Sequence, residues 1–338
     1  VRVGLLDDLV GTVKPSLMTI NADNDIHITS TGTNSGNIQG ISVAHSNLKL
    51  DAGNEITIHA YGYRPEKQIT PIINTVGIYN YNGTAQLGTQ NQNEDITIAA
   101  HGNDTVALGI QAYSTKETEI TIKGNAISIT ADTEWNNGQA GGISNYSATG
   151  IEAQGYGNNN EIKVIANSDL TISGNIVNNT DTTAYSSGIT ATYNSNVSVE
   201  SLQGSTYISG LGQGNVNGTG LHAQNGATIG VTAREGINNV NANSYGVYAL
   251  YDNSQITLQG KNGNKVDVIG ESGYAVRSYG TNAKVSLTSE KGNNILTSAY
   301  RGILAQSNGT VSLLAQEGSN SVSADNDYAA FASGETLI

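Results

Sequence analysis

A repeat constrains this chain more than any other feature. Segments beginning Gly220-Leu-His-Ala, Gly246-Val-Tyr-Ala, Ala275-Val-Arg-Ser, Gly302-Ile-Leu-Ala and Ala329-Ala-Phe-Ala follow one another at spacings of 26, 29, 27 and 27 residues. Each unit holds three short pieces with alternating apolar and polar residues. The first is Gly-Ile-x-Ala-like. The second supplies Ile229/Val231, Ile256/Leu258, Val285/Leu287 and Val311/Leu313. The third sets an Asn two residues before an apolar residue: Asn238/Val240, Asn264/Val266, Asn293/Ile295 and Asn320/Val322. Pieces of three to six residues with period two, separated by Gly, Asn and Asp, describe strands and not helices. A triplet of such strands has no partner for its inward face until the next triplet stacks on it.

The same register runs back through Gly188-Ile, Gly150-Ile, Gly109-Ile, Gly77-Ile and Gly40-Ile. The expected fold is therefore all-β: a parallel β-helix of about ten three-strand coils, roughly 50 Å long at about 4.8 Å per coil. Residues 1–25 fit the period poorly and read as an N-terminal capping or lead-in segment. Residues 26–338 form the β-helix, with irregular long coils to about 219 and regular ones after it. The period breaks off inside a coil at Phe331-Ala-Ser-Gly, so the chain reads as a segment of a longer rod. The Asn at a fixed corner is expected to stack on its copies amide to amide or simply to serve the turn.

Composition narrows the function. Gly is 41 of 338 residues, but without a three-residue period and with 3 Pro, so collagen is excluded. No Cys is present, which excludes disulfides and thiolate metal sites and fits an extracellular compartment. A net charge of −13 argues against nucleic acid and polyanion partners. No apolar run reaches membrane-spanning length, so direct membrane insertion is not expected. His27, His45, His59, His101 and His222 have no metal-ligand spacing. The acidic pairs Asp23/Asp25 and Asp325/Asp327 read as turn residues, and no metal or cofactor is expected. There is no nucleophile elbow, serine-protease signature or phosphate loop, so the chain is not expected to be an enzyme. A polysaccharide lyase or hydrolase remains as an alternative, with Glu134 or Asp181 beside Arg64 as its acidic and basic groups.

The irregularity itself points to a site. Each long coil is long in the same place, between its third strand and the next Gly-Ile piece: 61–76, 101–108, 132–149, 175–187 and 211–219. Insertions at one corner set loops along one edge of the rod, where repeat proteins often bind. These loops carry Tyr61, Tyr63, Arg64, Glu134, Trp135 (the single Trp), Tyr146 and Tyr185. Tyr, Trp and Arg dominate contact energy at interfaces, and planar rings with polar edges suit sugar faces. Tyr248, Tyr251 and Tyr279 lie outside the loops and read as ordinary surface. The equivalents of Tyr248 are Tyr79, His222, Arg277 and Phe331, which make no uniform aromatic ladder.

The repeated Gly-Ile-x-Ala, Thr-Val-Ser-Leu-like and Gly-x-Asn-x-[Ile/Val] pieces, in a Cys-free background of Asn, Gly, Thr and Ser, resemble the passenger of a classical, monomeric autotransporter adhesin of the AIDA-like, self-associating type from Gram-negative bacteria. The resemblance spans residues 20–338 and is one of composition and period. It implies a right-handed β-helix carried to the outer cell surface. It also implies adhesion to a host surface protein, to a glycan, or to another copy of the chain in aggregation and biofilm. The wide, irregular coils depart from the tidier repeats of that type and favour ligand binding through the loops.

Overall fold

In a computed structural model the chain is a stack of parallel strands in three sheets. The structure describes residues 2–4, 15–33, 37–63, 74–89, 92–103, 105–134, 146–156, 160–177, 184–214 and 216–333. Every third strand joins the same sheet, giving one sheet of 11 strands and two of 10. The first, second and third strands of each coil thus form the first, second and third sheets. The chain is a parallel β-helix, as the period requires. Leu17–Ala22 already pairs with Asn47–Ala52 as the opening strand of the second sheet. Arg2–Gly4 pairs likewise with the first-sheet strand Ile38–Ala44.

The interior is built from columns of like residues. In the third sheet Ile28, Ile58, Ile98, Ile129, Ile172, Ile208, Val240 and Val266 lie on consecutive rungs. Most are fully buried. Alternation does this: along Gln255–Gly260, Ile256 and Leu258 point in while Gln255, Thr257 and Gln259 point out. The recurring Gly has a packing reason. A Cβ on Gly109 would lie 2.5 Å from the carbonyl oxygen of Gly150 and 2.8 Å from Ile129 Cγ2. The first-sheet strand lies close against the interior there, and Ala275 and Ala329 take the same place in coils with short corners.

The Asn ladder exists, with one correction. Asn238 Nδ2 donates to Asn264 Oδ1, Asn264 Nδ2 to Asn294 Oδ1, and Asn294 Nδ2 to Asn320 Oδ1, each at 2.7 Å. Thr206 Oγ1 donates to Asn238 Oδ1 at the start of the run. The third Asn of the ladder is Asn294, not Asn293. Asn-Asn-Ile-Leu satisfies the pattern in either of two registers, and burial decides: Leu296 is fully buried while Ile295 is 39% exposed. A slip of one residue turns a strand inside out. Asn293 serves the turn instead, accepting from the Ser319 N–H at 2.9 Å.

The long corners also differ from the expectation of plain loops. Third-sheet strands run on past the corner, as in Glu55–Tyr63, Asp95–Asn103, Ile127–Glu134 and Leu170–Val177. The following first-sheet strands start early, as in Asn74–Tyr81, Val106–Ser114, Tyr146–Gly155 and Ala184–Thr192. The two extensions pack face to face as a thin flange. Ala100, Ala107 and Ala131 fill one part of its seam; Ala148, Ile176, Ala184 and Val216 fill another. Thr75 and Thr105 hydroxyls meet at 3.0 Å, and Thr133 Oγ1 donates to Thr105 O at 2.7 Å. The seam is so narrow that a Cβ on Gly174 would collide with the carbonyl oxygens of Ala148 and Ser187. In the coil Asn238–Ala242 to Tyr245–Leu250 the extension is gone.

The ladder register yields a first prediction. Asn264→Ala strands the buried Asn238 amide and Asn294 oxygen and should cost about 2–3 kcal/mol in urea unfolding. Asn293→Ala, on an exposed turn, should cost about 1 kcal/mol or less. Equal costs would contradict the register.

Candidate functional site

The sequence-predicted residues divide over the two faces of the flange. Tyr61 and Tyr63 lie on the third-sheet face, where Tyr61 shares a rung column with His101, Asp132 and Asn175. Tyr63 shares the next column with Asn103, Glu134 and Val177. Tyr185 lies on the first-sheet face beside Ser147 and Asn217. Its chain neighbours Ala184 and Ser186 are buried in the seam, so its exposed ring points away from Tyr61 and Tyr63. Tyr146 pairs with Ala184 through its backbone; its side chain, like Arg64 and Trp135, lies outside the described residues, as does Asp181. Of the predicted set, then, the structure brings together Tyr61, Tyr63 and Glu134.

That face is a polar aromatic patch. Tyr61 stacks on His101 with centroids 5.1 Å apart and planes at 16°. Its hydroxyl is bonded to His59 Nδ1 at 2.9 Å. His101 Nδ1 stands 3.7 Å from Asp132 Oδ2, and Asn175 Nδ2 donates to Asp132 Oδ1 at 3.0 Å. Partial burial, reinforced by the neighbouring His101, lowers the His59 pKa below its ordinary value. Tyr61 is held by His59 on its own strand and His101 on the next coil, while Tyr61 and Tyr63 remain 37% and 44% exposed. Such a surface offers pre-ordered aromatic area with imidazole and carboxylate groups at its edge.

Two further aromatic groups are absent from the sequence-based set. At the corner between the first and second sheets, Tyr81 stacks on Tyr113 (5.5 Å), Tyr113 meets Tyr156 at a tilt of 46° (5.3 Å) and Tyr156 stacks on Tyr193 (4.8 Å). His45 meets Tyr81 edge-on. This ladder stands just past the column of Tyr248 and its equivalents. Its rings lie four, four, six and five residues after Gly77, Gly109, Gly150 and Gly188, and that drift hides the period.

The second group lies on the outer face of the first sheet. His222 stacks on Tyr248 (5.2 Å, 8°), Tyr248 on Tyr245 (4.8 Å) and Tyr245 on Tyr274 (5.8 Å, 7°). The Arg277 guanidinium carbon sits 5.1–5.9 Å from the rings of Tyr245, Tyr248, Tyr274 and Tyr279. Tyr248 and Tyr279 are thus members of a cluster and not isolated surface rings. Burial pushes the Tyr248 hydroxyl up to about 12 and depresses the His222 imidazole to about 4. His222 Nε2 is buried with no hydrogen-bond partner. Farther along the same face, burial raises the pKa of Glu152, opposed by hydrogen bonds from Gln154 and Gln111.

The acidic turns have partners within the fold. Asp25 accepts from Asn54 at 2.8 Å, and Asp327 pairs with Arg301 at 2.6 Å. Among the described residues no group of three or more His, Asp or Glu is arranged to hold a metal ion. A scan of protein-family models finds no match to this chain, and neither does a search of curated proteins or of solved structures.

The depressed His222 pKa predicts a pH effect. Between about 6.5 and about 4 the unfolded chain binds a proton that the folded chain refuses. Stability contributed by neutral His222 is therefore present above that window and lost as pH falls through it. The raised Glu152 pKa acts in the opposite direction, so the difference between wild type and His222→Gln isolates the imidazole. The variant should lose less stability from pH 7 to 4 in urea unfolding, by on the order of 2 kcal/mol. Parallel pH profiles would contradict this.

Proposed function

We propose that this chain is part of a cell-surface adhesin, a passenger-like rod that binds a host protein or glycan along the flanged edge. The observation that carries this reading is the Tyr61–His101–His59 patch with Tyr63 beside it. An exposed ring held as Tyr61 is by His59 and His101 loses little conformational freedom on binding, which suits a hot-spot residue. The absence of Cys agrees with display outside the cell. In this reading the protein acts by recognition, not turnover.

Self-association is the second reading, favoured by the polar outer face of the second sheet. There Lys49, Gln86, Thr121, Lys163, Ser198, Thr257, Ser286 and Ser312 line one in-register column that only Gly230 interrupts. Analytical ultracentrifugation separates the two: a reversible dimer supports homotypic pairing, and a monomer over a wide concentration range removes it for this region.

The double variant Tyr61→Ala/Tyr63→Ala tests the first reading on an array of matrix proteins and glycans. Binding seen with the wild type should weaken roughly tenfold or more, as about 1.4 kcal/mol or more of contact energy is lost. The thermal midpoint should change little, because both rings stand outside the core. Undiminished binding by the folded variant would contradict the flange as the recognition edge.

A further inference from the structure

The aromatic ladder at the corner between the first and second sheets has a missing rung. It ends at Tyr193, one face of which is covered by Tyr156 at 4.8 Å. The next coil places Asn225 at the same position, and the coil after that places Tyr251 there. The backbone shows the alignment: the Tyr193 N–H donates to Gln224 O, the Asn225 N–H to Leu250 O and the Tyr251 N–H to Tyr279 O. All three residues share a left-handed backbone, with φ of 54°, 55° and 64°. Two rungs, about 9–10 Å, therefore separate Tyr193 from Tyr251. That is about twice the spacing at which rings stack.

The space at this rung is a depression of about 380 Å³ lined by Asn194, Asn225, Gly226, Tyr251, Asp252 and Asn253. The side-chain amides of Asn194 and Asn225 have no hydrogen-bond partner among the described residues. Asp252 spends one oxygen on the Thr281 N–H, and Asn253 Oδ1 accepts from Asn282. The lining contains no Lys or Arg. One aromatic wall, Tyr251, with primary amides and a carboxylate beside it, complements an uncharged pyranose. A C–H face of the sugar meets the ring and its hydroxyls meet the amides. An acidic sugar would find no cation here, on a chain of net charge −13.

We propose that this rung is a subsite for a neutral sugar unit, which takes the place of the absent ring. It lies on a different corner from the flange, so its failure leaves the flange reading standing, and the reverse holds too.

The test is saturation-transfer NMR and titration calorimetry on the full chain with lactose, maltotriose, N,N′-diacetylchitobiose and, as the acidic control, a galacturonate trimer. At least one neutral probe should bind and the acidic one should not. Asn225→Tyr installs the missing ring, in a backbone conformation that Tyr193 and Tyr251 already adopt. It should weaken neutral-sugar binding at least tenfold while leaving the thermal midpoint equal or higher. Tyr251→Asn, which removes a wall but keeps a residue suited to that backbone, should weaken binding to a similar extent. Absence of binding by every neutral probe, preference for the acidic probe, or wild-type binding in both variants would overturn the proposal.

Discussion

Everything in this molecule depends on in-register parallel pairing between one coil and the next. In such a stack the nearest neighbour of a side chain is the residue at the same place one coil away, about 4.8 Å off. Each position therefore has to be compatible with copies of itself. Branched apolar residues satisfy this inside, as the third-sheet Ile and Val column does. Asn satisfies it at a corner because one amide donates and accepts along the same line, as from Asn238 to Asn320. Tyr satisfies it outside by ring stacking, as from Tyr81 to Tyr193. One geometric rule produces three kinds of ladder.

The same rule explains why binding surfaces concentrate where the period is relaxed. A corner that lengthens in one coil alone would expose backbone groups with no partner. Here successive coils lengthen together, so Glu55–Tyr63, Asp95–Asn103, Ile127–Glu134 and Leu170–Val177 continue to pair as they leave the core. The resulting flange is thin, and much of its seam is Gly, Ala and Thr because the two sheets approach closely, with Ile176 and Val216 filling one end. Tyr61 and Tyr63 stand on a strand face and not on a loop. A broken ladder, as at Asn225, is the complementary device: a polar residue where a ring could stand leaves a depression beside Tyr251.

The fold was legible because period-two alternation and a fixed repeat length are both one-dimensional signals. What escaped was whatever needed the exact register or a comparison across coils. The pair Asn293 and Asn294 is ambiguous in one coil, and burial of Leu296 and not Ile295 settles it. The Tyr ladder escaped because its members drift by up to two positions along the strand, a shift that ring size absorbs and a column alignment does not. The flange escaped because its strands use Gly, Ala and Thr, residues that read as loop. Of the site residues, the shared face of Tyr61, Tyr63 and Glu134 followed from placing the insertions at one corner. The opposite orientation of Tyr185 required knowing that the corner carries two sheet faces.

The central claim is that the coils stack at constant rise, with each strand in register with its counterpart one coil away. The chain has no native Cys, so pairs of spin labels can be placed without background. Thr121 and Ser286 lie in one outward column five rungs apart, through Lys163, Ser198, Gly230 and Thr257. Lys49 and Ser312 extend the same column to eight rungs. Pulsed electron–electron resonance should give narrow distance distributions centred near 24 Å and near 38 Å, in the ratio of the rungs at about 4.8 Å each. Broad distributions, or a ratio far from five to eight, would contradict the stacked register on which the flange, the ladders and the proposed sites rest.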